Sequence, residues 1–90
     1  MKYTVTLQGH GGHGSRPDRA YNPVDCFAAV YGALQPYAPT FTMVDGGTAT
    51  NVIPDKLIFQ MECAAKEETL TELLAPLCRL YHCSFEIGTI

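Results

Sequence analysis

At 90 residues the chain has room for one hydrophobic core and none for a second domain. Its 47% hydrophobic content, with four Phe, five Tyr and no low-complexity run, excludes disorder. A formal charge of −3, with six Lys and Arg scattered along the chain, excludes the basic face that nucleic acid requires; no run approaches the roughly 18 apolar residues of a membrane span, and no basic-then-apolar leader opens the chain, so a cytoplasmic small-molecule role is expected.

Lys2 to Gln8 alternates, with Tyr3, Val5 and Leu7 on one face and Thr4, Thr6 and Gln8 on the other, which predicts a half-buried first strand. The segment from Gly9 to Pro17 then places Gly9, Gly11, Gly12 and Gly14 close together. Such a run does not continue a strand cheaply and predicts a loop with unusual backbone angles, the kind of segment that often carries function. Asn22-Pro23 has the form of a helix start, an Asn cap followed by Pro where a missing N–H does no harm. Val24, Phe27, Ala28, Tyr31 and Leu34 recur at helical spacing as its core-facing stripe, and Pro36 and Pro39 stop it.

Phe41 and Met43 alternate with Thr40, Thr42 and Val44 in a short second strand, ended by the turn Asp45-Gly46-Gly47. From Lys56 to Ala64 a longer third strand sets Leu57, Phe59, Met61 and Cys63 on its core face. Leu70, Leu73, Leu74, Leu77 and Tyr81 mark a second helix; Thr69 with Glu72 has the form of a capping box, and Pro76 predicts a kink or a late helix start. Ser84 to Ile90 alternates through Phe85 and Ile87 as the last strand. The order β-α-β-β-α-β with right-handed crossovers predicts an α+β, ferredoxin-like sandwich. Its four-stranded antiparallel sheet would run last strand, first, third, second, with both helices on one face and a polar face left open.

Cys26, Cys63, Cys78 and Cys83 lie in apolar segments without the loop-rich composition of a disulfide scaffold, so reduced and mostly buried thiols are expected. Cys78, His82 and Cys83 offer three potential zinc ligands where a structural site needs four, and no metal is expected in this chain.

The pattern stops at a fold shared by many unrelated functions. Two motifs go further. The run Gly9-His10-Gly11-Gly12-His13-Gly14-Ser15-Arg16-Pro17-Asp18, followed by Asn22-Pro23-Val24, resembles the first strand, loop and helix of the lid and dimerisation domain in the aminoacylase, carboxypeptidase G and hippurate hydrolase family. The run from Gly46-Gly47-Thr48 through Asn51-Val52-Ile53-Pro54-Asp55 resembles the second signature of the same domain. The resemblance covers essentially the whole chain and is closest to the amidohydrolase branch. It implies a fragment of a two-domain hydrolase that cleaves an amide of a small N-acyl amino acid or peptide. It also implies a homodimer through the second strand and first helix, and zinc or another divalent metal pair held by a separate catalytic domain whose ligand motifs this sequence lacks. The isolated chain is therefore expected to be inactive.

By position, His13 resembles the lid histidine that reaches the partner subunit's active site, where an imidazole donor stabilises an oxyanion. Asn51 resembles a substrate-binding asparagine, and Arg16 could meet a substrate carboxylate. Read without the resemblance, His13 is a loop histidine held by local backbone, Asn51 an ordinary turn residue and Arg16 a surface residue fixing its loop. Gly12, Gly14, Gly46 and Gly47 are explained by positive backbone angles, and His10, where the family usually has lysine, by solvation.

The sequence departs from the family at two places. Cys63 or Ala64 stands where an arginine usually ends the third strand, and the segment from Gln35 to Asp45 is shorter than usual, which would trim the edge strand and weaken a dimer. A competing reading is a stand-alone ferredoxin-like module that binds a ligand or partner strand through its open face without catalysis. An RNA-binding role is opposed by the acidic balance and by the lack of stacking aromatics on the outward face.

Overall fold

In the computed structural model, residues 1–13, 21–47 and 52–90 are described, Gly12 and His13 by their backbone alone. The alternating segments become β1 (Lys2–Gln8), β3 (Thr40–Gly46), β5 (Lys56–Glu62) and β6 (Ser84–Thr89), and the segments of helical periodicity become α1 (Pro23–Leu34) and α2 (Glu67–Leu80). Two further strands of two residues each, β2 (Gly12–His13) and β4 (Val52–Ile53), lie within the two glycine-containing motifs.

The main sheet runs β3-β5-β1-β6, antiparallel throughout, as the strand pattern predicts. Its centre is regular. Tyr3 lies opposite Met61, Val5 opposite Phe59 and Leu7 opposite Leu57, and all six are buried beneath the helices. Phe85 and Ile87 of β6 flank Leu7 and Val5 and are partly buried. The Tyr3 hydroxyl, carried into the core, donates to the Ala65 carbonyl at 2.8 Å, which removes the penalty of an unpaired buried group. On the opposite face Gln60 Nε2 donates to Thr4 Oγ1 at 3.3 Å, and this face is polar as expected.

α1 starts as its sequence predicts: Asn22 Oδ1 accepts from the Val24 amide at 2.9 Å, and Pro23 occupies the first turn. The expected core stripe is displaced. Pro23, Cys26, Val30 and Leu34 are buried, Phe27 partly so, Ala28 is exposed, and Val24 and Tyr31 are 41% and 48% exposed. The helix is apolar at almost every position, so several stripes satisfy the same period and periodicity alone does not choose among them. After Leu34 a 3₁₀ turn over Gln35–Tyr37, containing Pro36, ends the segment.

α2 corrects the capping-box assignment. The helix begins at Glu67, so Thr69 lies inside the first turn, and the cap residue Lys66 makes no side-chain bond. Glu67 and Glu68 in the first turn and Arg79 in the last complement the helix dipole instead. The helix does not start late at Pro76 but runs through it to Leu80. Pro76 is exposed, so the Glu72 carbonyl that loses its intrahelical donor is on the solvent side. The helix ends in a Schellman turn: the Cys83 amide donates to the Cys78 carbonyl at 2.8 Å, the His82 amide to the Arg79 carbonyl at 3.1 Å, and His82 takes φ 56°.

β3 departs most from expectation. It is seven residues long, the same as β1 and β5, rather than short. Its register slips between Phe41 and Met43, a β-bulge that places Met43 opposite Gln60 on the open face at 36% exposure, so Met43 is not a core residue. Beyond the bulge Val44 lies opposite Phe59, yet at the sheet margin it remains 51% exposed. Phe41 enters an aromatic cluster with Phe27 and Phe59, at centroid distances of 5.7 Å to each, and stacks on Tyr31 at 5.2 Å.

All four cysteines carry free thiols, with Cys26, Cys63 and Cys78 buried and Cys83 partly so, as predicted. No helix among the described residues is long and apolar enough to cross a membrane.

Candidate functional site

Over its described residues, 9–13, the first glycine-rich segment contains a short strand where its composition predicts a loop. β2 pairs antiparallel with β4, Gly12 opposite Ile53 and His13 opposite Val52, so the two motifs, about forty residues apart, become one small sheet. Asp55 fastens it. Its Oδ1 accepts the Gly11 amide at 2.8 Å, and its carbonyl accepts the Gly9 amide at 2.7 Å and Gln8 Nε2 at 3.1 Å. His10 and Tyr21 exchange backbone bonds of 2.9 and 2.8 Å, which ties the segment to the start of α1.

Close approach of other backbone accounts for Gly9 and Gly11. A Cβ on Gly9 would strike the Tyr21 carbonyl oxygen, and one on Gly11 would strike the Ile53 carbonyl oxygen, both fixed backbone atoms. Gly46 is the last residue of β3 rather than a turn residue, where a Cβ would press on Leu57; Gly47, at φ 99°, takes the positive angle expected of it. Gly14 lies outside the described residues.

Of the predicted site residues, His13 is placed by its backbone, directly opposite Val52 across the β2–β4 pair. Asn51 and Arg16 lie outside the described residues; Asn51 directly precedes β4 in the chain. His10 is exposed, consistent with a solvated residue. Cys63 is buried and Ala64 exposed, so neither supplies a charge at the end of β5. Beside the β4 end of this region lies a cavity of about 320 Å³ whose wall includes Asp45, Gly47, Val52, Pro54, Asp55 and Lys56. Its wall combines apolar side chains with two carboxylates and one amine, a composition able to orient a small polar ligand. No group of three or more His, Cys, Asp or Glu among the described residues is arranged to hold a metal ion. These residues do not fit a metal centre.

Asp55 is the residue that sequence reasoning passes over. Its only local sign is an aspartate after Pro54, immediately before a strand; the glycine amides it meets are some forty residues away.

The fold and the β2–β4 ladder define a small α+β domain in which two separated motifs are joined. Residues 1–77 match the peptidase dimerisation domain family, and the chain belongs to that family. It is 24% identical to thermostable carboxypeptidase 2 of Saccharolobus solfataricus, over 94% of this chain and 26% of that protein. Among solved structures it resembles a hydantoinase/carbamoylase family amidase from Burkholderia vietnamiensis, with a TM-score of 0.82 and 18% identity over 99% of this chain and 26% of that one. It also resembles the aminobenzoyl-glutamate utilization protein from Klebsiella pneumoniae, with a TM-score of 0.79 and 16% identity over 98% of this chain and 27% of that one. The chain thus spans about a quarter of the length of the curated relatives it matches.

Proposed function

We propose that this chain is the lid and dimerisation domain of a larger metal-dependent hydrolase that cleaves the amide of a small N-acyl amino acid or peptide. The observation that carries the reading is the β2–β4 pair, which sets the backbone of His13 against Val52, the residue after Asn51. Two motifs with a joint role at one site need such a connection; two unrelated loops do not. In this reading His13 donates an imidazole N–H to the oxyanion that forms as the amide carbonyl is attacked, in the active site of the partner subunit. Asn51 and Arg16 hold the substrate, most naturally its carboxylate. A zinc or other divalent metal pair belongs to the catalytic domain, since the described residues here offer no set that fits one.

The homodimer in this reading joins β3 to its two-fold mate, with α1 alongside. Support comes from the edge position of β3 and from Tyr31 and Val44, half exposed on the same flank. An unpaired edge beside exposed apolar side chains is what a second copy can cover by strand addition and burial.

In the complete enzyme, His13→Ala should lower kcat by roughly 10² to 10³ with a smaller change in KM, because the oxyanion contact forms mainly in the transition state. Asn51→Ala should mainly raise KM. Mixing His13→Ala subunits with subunits disabled at the metal site should restore part of the activity, since one site per heterodimer then has both intact parts. No recovery from verified heterodimers would sink the contribution in trans.

A further inference from the structure

Three of the four thiols meet at one place, for reasons the topology makes plain. Cys26 is on the buried stripe of α1 and Cys78 on that of α2, and their Sγ atoms are 3.7 Å apart where the two helices cross. The Schellman turn after α2 then folds the chain back, the Cys83 amide bonding the Cys78 carbonyl at 2.8 Å, so that the Cys83 thiol, which donates to the Tyr81 carbonyl at 3.4 Å, comes to lie beside Cys26. Cys63, at the end of β5, takes no part; its thiol points to the Ala65 carbonyl.

The three differ in access. Cys26 is fully buried and Cys78 is 1% exposed, whereas Cys83 is partly open. A surface depression of about 510 Å³, whose wall includes Cys78, Arg79, His82 and Cys83, reaches Cys78 and Cys83 from outside. From these positions we infer that Cys26 and Cys78 form an oxidisable dithiol, bridged by hydrogen peroxide through Cys83 as the point of entry. Their sulfurs need to approach from 3.7 Å to the about 2.05 Å of a disulfide, a movement within the reach of side-chain rotation.

The steps balance. The Cys83 thiolate attacks one peroxide oxygen, the O–O bond breaks, hydroxide leaves and a sulfenic acid remains. The Cys26 sulfur attacks that sulfenic sulfur and expels hydroxide, which takes the thiol proton and leaves as water. Cys78 then attacks the Cys26 sulfur and releases the Cys83 thiolate, which regains a proton. Two thiols have given up two electrons, the peroxide has become two waters, and Cys83 is restored.

The electrostatics slow the first two steps. In the reduced pair the Cys26 S–H donates to Cys78, which with burial raises the Cys26 thiol and lowers that of Cys78, a bias that ends once Cys26 is bonded to Cys83. Burial, then the neighbouring Cys26 and Asp25, push Cys83 up to about 11, so entry is slow and responds to sustained oxidant rather than to traces. The product is a reducible staple between α1 and α2, across a chain separation of 52 residues.

The test uses the native chain. After exposure to hydrogen peroxide, alkylation and digestion, mass spectrometry should find two of the four thiols lost and one linked pair, Cys26 with Cys78, about 2 Da lighter than the reduced peptides. The melting temperature should rise and return after dithiothreitol. Cys83→Ser should slow the linkage at least about tenfold without changing its position. A bridge that contains Cys63 or stops at Cys83, or over-oxidation with no bridge, would overturn the dithiol; a wild-type rate in Cys83→Ser would overturn the relay.

Discussion

β1 and β3 are the two neighbours of β5, and they use that strand in different ways. β1 keeps one register over all seven pairs and has β6 on its other side. β3 loses register after Phe41 and has nothing described on its far edge. An interior strand is fixed by two ladders and by the helices above it, so a slip would turn every core side chain outward. An edge strand is held by one ladder and tolerates a bulge, which here turns Met43 to the open face and leaves Val44 at the rim. The lesson is that the same alternating pattern has a definite meaning in the interior of a sheet and an open one at its edge.

The largest test of this contrast is Phe59→Ala. Phe59 is fully buried, lies opposite Val5 on one side and Val44 on the other, and touches both Phe27 and Phe41. Its loss should destabilise the chain by about 3–5 kcal/mol in denaturant unfolding, enough to leave a marginal domain largely unfolded. A cost below about 1 kcal/mol would mean that β5 is not the shared keystone.

A smaller effect is expected from alkali, because the central layer buries groups that must ionise. Burial, with lesser contributions from Cys63 and Glu67, raises the Tyr3 hydroxyl above its ordinary 10.0, and Cys83 stands at about 11 against an ordinary 9.0. The folded chain therefore holds protons that the unfolded chain releases. Their contribution to stability is complete below about 9 and is lost as pH rises through about 11. Cys78 is shifted the other way, but its partner Cys26 is raised, so the pair opposes itself. The melting temperature should fall between these limits and recover when the pH is lowered again; a flat profile would contradict the burial of Tyr3.

The smallest effect on folding should come from Val44→Lys, at the rim of β3. Unfolding of the monomer should change by no more than about 0.5 kcal/mol, as for other exposed positions. Sedimentation, however, should shift from dimer toward monomer, because a lysine at an edge opposes strand addition. An unchanged dimer would move the interface away from β3.

The existence and order of the four main strands and of both helices were legible because alternation and helical spacing mark segments that bury one face, though not the length of β3 or the buried stripe of α1. The Asn22 cap was legible for the same reason: one local bond decides it. What was not legible depended on partners distant in sequence. The choice between Cys26 and Phe27 as the centre of the α1 stripe is made by α2 and β5, where Cys26 meets Cys78 and Phe27 meets Phe59. At the candidate site, His13 was found through its motif, but the β2–β4 pair and the grip of Asp55 on Gly11 cross a gap of some forty residues that local pattern does not span.

That clip has a mechanical consequence. With Gly12 and His13 laddered to Ile53 and Val52, and Gly9 and Gly11 both anchored on Asp55, the described part of the first motif is fastened to the second at four positions. A change in the number of residues between Gly47 and Val52 would therefore act as a lever on the backbone of His13, and a variant isolated for altered behaviour in either loop would have to be read as a change to both.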